Sequence, residues 1–270
     1  MLQETKLYRE GTIVIPNFII FEKLRNHGCG GGLMTAAHTN LNPVVVDDET
    51  ENQDFLIVDI KIKNVQIRTV NCYGPQENIR RKKIDILDTN DDENDLTKVS
   101  STDVNSAFFL NLQTQVQYAK DSGKFLCIQM DANSKFGKAI IKDDPNDNMT
   151  ENGKLLYDII IEEDLVLVNA TDVCNGTITR QRKTLKKTET SVLDYFIVCR
   201  KLFEMIKEMI IDEDRKFVLT KYTSKKGEQK TVKTDHKPMW CRFDIPWVTF
   251  RFKILKVNRR SKNTTPKIQD

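Results

Sequence analysis

The stretch Lys124–Asn133, KFLCIQMDAN, decides how the chain is read. Phe125, Leu126, Cys127, Ile128 and Met130 form a short apolar run with no helical stripe, opened by the turn signal Asp121-Ser122-Gly123. Such a run predicts a buried strand. It stops abruptly at Asp131-Ala132-Asn133. Two positions apart on an extended strand, the carboxylate and the amide share one side of an open tip. Asp and Asn are also favoured at plain strand-to-loop turns, where they bond their own backbone. Other acidic strand ends therefore have to decide between a turn and a site.

Three such ends exist. Glu4 follows Met1-Leu2-Gln3, Asp194 interrupts the apolar strand Val192–Cys199, and Asp235-His236 precedes the strand Met239–Phe243. Asp194 carries the most weight, because a carboxylate inside an apolar run is costly to bury without a partner or a metal. His236 is a candidate partner, since an Asp–His pair orients the imidazole and holds its proton.

The rest of the chain alternates strands and helices. Thr12–Leu24 reads as one or two strands broken at Pro16-Asn17. Gly28-Cys29-Gly30-Gly31-Gly32 lacks a following GK[ST], and Leu33 stands where GxGxxG needs glycine, so it reads as a tight turn into the strand Leu33–His38. Phe55–Lys63 and Gln66–Cys72 form a hairpin turning at Asn64-Val65. Ala107–Lys120 and Asn152–Glu163 have helical periodicity. Short strands are expected at Leu165–Asn169 and Thr177–Arg180, and a short helix at Lys201–Met209. Gln181–Thr190 is expected to be a polar loop with Arg182, Lys183, Lys186 and Lys187, and a hairpin is expected over Phe217–Tyr222 and Lys230–Lys233. Hairpins mixed with helices fit an α/β sandwich of packed sheets better than a purely parallel sheet.

Composition sets limits. The 270 residues are 39% hydrophobic and 30% charged, enough for a core and too charged for a membrane protein. No run approaches the roughly 20 apolar residues of a spanning helix, and MLQETKLYRE has no signal-peptide core. Six widely spaced cysteines form no CxxC or Cys/His cluster, which argues for reduced thiols and an intracellular location, nucleus or cytoplasm. The net charge of +3 is uneven: residues 249–270 hold seven Lys/Arg against one acid, a net of +6, leaving −3 on residues 1–248. A polyanion site on the body must then be local, or built with metal ions. The seven acids of Asp85–Asn105, with few apolar residues among them, predict an exposed or disordered insertion. The expected organisation is one domain over 1–248 with that insertion at 85–105, followed by a basic, disordered tail or linker stub over 249–270.

The ordered motifs resemble the endonuclease/exonuclease/phosphatase superfamily: apurinic endonucleases, DNase I and, most of all, the endonucleases of LINE-type retrotransposons. Leu2-Gln3-Glu4-Thr5-Lys6 resembles its LQET segment, and Gly30-Gly31-Gly32-Leu33 its glycine-rich turn. Asn71-Cys72-Tyr73-Gly74-Pro75 resembles N-x-Y-x-P, and Met130-Asp131-Ala132-Asn133 stands where the family has GDFN. Ser191–Tyr195 resembles S-x-x-D-Y, and Thr234–Pro238 resembles SDH-x-P. Each motif is weak alone; six in order over Met1–Trp247 are a strong signal.

The resemblance implies a four-layer α/β sandwich, two mixed β-sheets face to face with helices outside. It implies a divalent ion, magnesium or manganese, ligated by Glu4 with help from Asp235. Asp131 would orient or deprotonate the attacking water or protonate the leaving oxygen, and Asn133 would hold the phosphate or the nucleophile. His236, oriented by Asp194, would stabilise charge on the scissile phosphate, and Tyr73 would bond the phosphate or leaving group. The partner would be nucleic acid, DNA first, with the Arg182–Lys187 loop and the basic tail as contacts; oligomeric state stays open. The sequence also departs from the family. The family's Asn-bearing strand ahead of LQET is missing, so an N-terminally truncated domain without its first strand is expected. Met130 and Ala132 replace Gly and Phe. Two other functions stay compatible: a catalytically inactive remnant that binds nucleic acid or a protein, and a small-molecule phosphatase of the inositol-phosphate type.

Overall fold

The computed structural model describes residues 1–3, 5, 13–24, 32–46, 53–76, 101–185, 187–214, 216, 221–223, 227, 229–231, 235–245 and 248–251, with the side chains of 101–104, 221–223, 229–231 and 248–251 outside that description. In chain order, β1 (Leu2–Gln3), β2 (Phe18–Lys23) and β3 (Leu33–His38) make an antiparallel sheet in the order β1-β3-β2. β4 (Val44–Val45), β5 (Phe55–Ile62) and β6 (Val65–Tyr73) follow as antiparallel neighbours. α1 (Ser101–Asp121) returns the chain to β7 (Phe125–Asp131), which runs parallel to β6. α2 (Glu151–Glu162) leads to β8 (Leu165–Leu167), β9 (Cys174–Asn175), the hairpin β10 (Arg180–Lys183) and β11 (Thr188–Ser191), and then β12 (Asp194–Cys199). The last elements are α3 (Arg200–Phe203), β13 (Ile206–Ile211), the paired β14 (Lys221–Thr223) and β15 (Gln229–Thr231), β16 (Met239–Ile245) and β17 (Val248–Arg251).

A mixed six-stranded sheet, β4-β5-β6-β7-β12-β8, is the centre of the molecule. Its two faces explain why β7 and β12 read as unbroken apolar runs. Leu126, Ile128 and Met130 of β7, with Tyr195 and Ile197 of β12, pack under Phe108, Leu112 and Val116 of α1 and Leu156 and Ile159 of α2. Cys127, Phe196 and Val198 face the other way, onto Leu33 and Ala37 of β3 and Met209, Cys241 and Phe243. Strands buried on both faces lose the polar alternation of half-exposed ones. The second layer has two pieces, β1-β3-β2 and β17-β16-β13-β9. The sandwich of two sheets with helices outside is the expected architecture, and among the described residues α1 and α2 cover its helical face.

Several expectations need correction. The hairpin turns at Lys63-Asn64, because Ile62 pairs with Val65 and Lys63 takes the left-handed φ of 53°. Gln181–Thr190 is no loop: Arg180–Lys183 pairs with Thr188–Ser191. Thr177–Ile178 precedes this hairpin and is not a strand. Lys201–Met209 was expected to be helical, but the helix ends at Phe203 and Ile206–Ile211 is a strand, its Ile206, Met209 and Ile211 set into the core by pairing with β16 across a register shift between Ile206 and Glu208. Residues 101–105 of the expected acidic insertion belong to α1, and 77–100 lie outside the described residues. Thr249–Arg251, expected in the tail, form most of β17.

Candidate active site

Three neighbouring strands end at one place. Tyr73, the last residue of β6, is in register with Asp131, the last of β7, and Asp131 faces Asp194, the first of β12. Asp194 thus opens its strand instead of interrupting it. Both carboxylates are nearly buried, at 2% exposure for Asp131 and 7% for Asp194. His236 closes the group. Its Nδ1 lies 3.0 and 2.9 Å from the two oxygens of Asp194, and its Nε2 lies 3.8 Å from Asp131 Oδ2. The segment carrying His236 is pinned by an antiparallel bridge to Arg180, by Gln181 N–H to Asp235 O at 2.7 Å, and by Lys237 N–H to Thr179 O at 2.6 Å.

The electrostatics follow from this packing. Burial alone would push the imidazole toward neutrality. The hydrogen bond and charge of Asp194, with the charges of Asp131 and Asp235, overcome it and raise the His236 pKa to about 9. At neutral pH the site therefore holds an imidazolium between two carboxylates. For Asp235, burial works against ionisation, but the charge of Arg180 outweighs it and holds the carboxyl below its usual range. Arg180 Nε donates to Asp235 Oδ2 at 2.8 Å.

The strand ends are braced by neutral groups. The Thr179 hydroxyl is fully buried and accepts from the N–H groups of Leu193, at 2.9 Å, and Asp194, at 3.1 Å. Asn169 donates to Asp194 O at 3.1 Å and accepts from Phe196 N–H at 2.8 Å. Asn133 takes a left-handed φ of 48°, its N–H reaches Asp131 Oδ1 at 3.1 Å, and its side-chain amide donates to Gly74 O at 2.9 Å. Gly74 N–H in turn donates to Asp131 O at 2.7 Å. A Cβ on Gly74 would sit 2.4 Å from Ala132 O, so only glycine lets β6 and β7 end this close together.

Of the residues singled out by sequence, Asp131, Asp194 and His236 come together, with ligating atoms within 4.8 Å of one another. Tyr73 is beside them, its hydroxyl accepting from Gln76 Nε2 at 3.2 Å. Asn133 adjoins them through Asp131. Asp235 is held on Arg180, outside that cluster. Arg182, Lys183 and Lys187 are exposed on the β10–β11 hairpin, and Lys187 pairs with Glu189 at 2.9 Å. Glu4 and Lys186 lie outside the described residues. Sequence reasoning missed Thr179, Asn169 and Arg180. Their only signal was a polar residue next to an apolar strand, which is too common to single out.

No protein-family model and no curated protein matches the chain. Solved structures do. The endonuclease domain of TRAS1, a telomere-specific non-LTR retrotransposon, aligns over 86% of this chain and 82% of its own, at 16% identity and a TM-score of 0.55. An AP endonuclease from Archaeoglobus fulgidus aligns over 90% and 87%, at 18% identity and a TM-score of 0.57. The chain has the endonuclease/exonuclease/phosphatase fold. A 3'-5' exonuclease from Neisseria meningitidis shares that fold, over 85% of this chain and 80% of its own, at 12% identity and a TM-score of 0.52. Among the described residues no helix is long and apolar enough to cross a membrane.

Proposed function

We propose that the chain is a metal-dependent phosphodiester hydrolase, a DNA endonuclease of the retroelement type, with its catalytic domain running through β17 to Arg251. The observation that carries this reading is the imidazole of His236 held by Asp194 against Asp131 at the open ends of three strands. Phosphodiester hydrolysis builds charge on non-bridging oxygens, and a fixed cationic donor stabilises it most in a site with little water. His236 Nε2 is that donor. Asp131 takes the proton of the attacking water as its oxygen bonds to phosphorus and the bond to the leaving oxygen breaks. Asn133 fixes Asp131 through its N–H, and Tyr73 bonds the phosphate or the leaving group.

The carboxylate oxygens of Asp235 and Glu4 are the hard donors that a divalent ion of the magnesium type takes. As the family resemblance implies, Glu4 and Asp235 would hold the ion, magnesium or manganese, while both oxygens of Asp194 stay on His236. When bound, the ion neutralises phosphate charge and makes a bound water more acidic. The exposed Arg182, Lys183 and Lys187, with Lys186, supply phosphate contacts along the duplex. Support also comes from the neighbours' described activities, endonuclease and exonuclease. Nicking of supercoiled plasmid in magnesium tests the reading: wild type nicks and Asp131→Ala does not. A wild type inert at every magnesium and manganese concentration overturns it.

A further inference from the structure

Thr179 and Arg180 are successive residues with opposite surroundings. Thr179 is fully buried and caps the N–H groups of Leu193 and Asp194, while the Arg180 side chain is 25% exposed. The backbone aims that side chain. Arg180 and His236 are partners in an isolated antiparallel bridge. Its hydrogen bonds run from Gln181 N–H to Asp235 O and from Lys237 N–H to Thr179 O, one residue to either side of the pair. Arg180 and His236 are thus a non-hydrogen-bonded pair, the kind whose Cα atoms come within about 4.5 Å and whose side chains project to the same face. The guanidinium therefore leaves the strand on the side of the imidazole. It stops beside the next residue of the site: Nε and Nη2 both lie 2.8 Å from Oδ2 of Asp235.

Most of the fork is not engaged there. A guanidinium has five N–H groups. Asp235 takes one from Nε and one from Nη2, and among the described residues no other acceptor takes the rest. A planar fork with open donors suits two oxygens of one phosphate. The contact with Asp235 holds the cation in one place, so less side-chain freedom is lost when an anion binds. Charge argues the same way. The carboxylates of Asp131, Asp194 and Asp235 all act on His236, so they surround the place where a phosphate would bind. The imidazolium offsets one of them. A second cation fixed at this spot lowers the repulsion that an entering phosphate meets.

We propose that Arg180 is a further catalytic residue: held on Asp235 beside His236, its open N–H groups bind the non-bridging oxygens of the scissile phosphate. The proposal rests on the phosphodiester reading. Arg180 forms no covalent bond and moves no proton. It holds the oxygens on which charge grows as the bond to the leaving oxygen breaks. The β10–β11 hairpin then has two functions. Arg182, Lys183 and Lys187 serve affinity for the duplex, and Arg180, at the root of the hairpin, serves rate.

Steady-state nicking of supercoiled plasmid in magnesium tests the assignment. Arg180→Ala is expected to lower kcat by about 10²–10³-fold, with KM changed by no more than about threefold. Arg180→Lys keeps the charge without the fork and is expected to stay at least about tenfold below wild type. Free guanidinium ion at non-denaturing concentration is expected to raise the rate of Arg180→Ala by at least about tenfold and to leave wild type unchanged. A residue that only ties the hairpin to Asp235 would not be replaced in that way. Without any turnover, inorganic phosphate added to the metal-free protein is expected to shift the Arg180 Nε–Hε NMR resonance, identified by its loss in Arg180→Lys. With wild type active, full activity in Arg180→Lys, a loss confined to KM, no rescue by guanidinium, or a resonance that ignores phosphate overturns this proposal and leaves the phosphodiester reading standing. A wild type inert in every metal overturns both.

Discussion

The two sheets treat their middle strands in opposite ways. In the six-stranded sheet, β6, β7 and β12 are paired on both sides, and their ends converge on Asp131, Asp194 and His236. In the second layer, among the described residues, the corresponding middle is a gap, with β1 on one side and β16 on the other. The difference teaches where precision comes from. A continuous ladder fixes side chains at its tips to a fraction of an ångström at no further cost. A split layer leaves strand edges without a neighbour among the described residues. One polar residue ties the halves of this contrast together. Asn71, buried in the middle of β6, donates to Leu2 O at 3.2 Å and Met34 O at 3.0 Å and accepts from Gln3 Nε2 at 2.7 Å.

The largest expected effect lies at the converged tips. His236→Ala and Asp131→Asn are each expected to lower the plasmid-nicking rate by about 10³-fold or more while leaving the fold intact by circular dichroism. Asp194→Asn should cost about 10²-fold, with a changed pH profile. In wild type, nicking needs the imidazolium and is expected to fall as pH rises through about 9. With the Asn variant that limb should move down toward 6.5, the ordinary histidine value. Stability has the same sign. The His236 pKa is raised on folding, so its contribution is full below about pH 6.5 and is lost as pH climbs to about 9. Urea titrations across that range check the sign.

Thr179→Val removes one acceptor from two buried N–H groups and is expected to destabilise by about 2–3 kcal/mol, since an orphaned buried donor costs about 1–3. Asn71→Ala, acting on the split layer, should cost a comparable amount but leave the His236 titration unchanged. If it moved that titration as far as Asp194→Asn does, the two layers would not be separable as described. The smallest effect is expected at the exposed hairpin. Alanine at Arg182, Lys183 and Lys187 together should weaken DNA binding several-fold at low salt and reduce the salt dependence by about three counterions, with kcat unchanged.

Much of this was legible from sequence because burial on both faces writes itself as an unbroken apolar run. Val192–Cys199 and Lys124–Asn133 both gave their strands and the acids at the tips. That Asp194 meets Asp131 was not legible, since register depends on which strands pair. The expected helix Lys201–Met209 takes in the first part of the strand Ile206–Ile211, because a short run with apolar residues three apart fits both periods. The β10–β11 hairpin was misread as loop, because its strands Arg180–Lys183 and Thr188–Ser191 carry no apolar face. The strand in Val248–Arg251 was hidden by the charge of the residues around it. The bracing by Thr179 and Asn169 comes from single hydrogen bonds between distant segments, which no local pattern encodes.

The central claim is that the strand tips hold a positively charged imidazole at neutral pH. It is tested most directly by titrating His236 by NMR, assigned among the three histidines of the chain by a His236→Gln variant. The account predicts a midpoint near 9 in wild type and a return to about 6.5 in Asp194→Asn. A wild-type midpoint near 6.5 that does not respond to Asp194→Asn would contradict it.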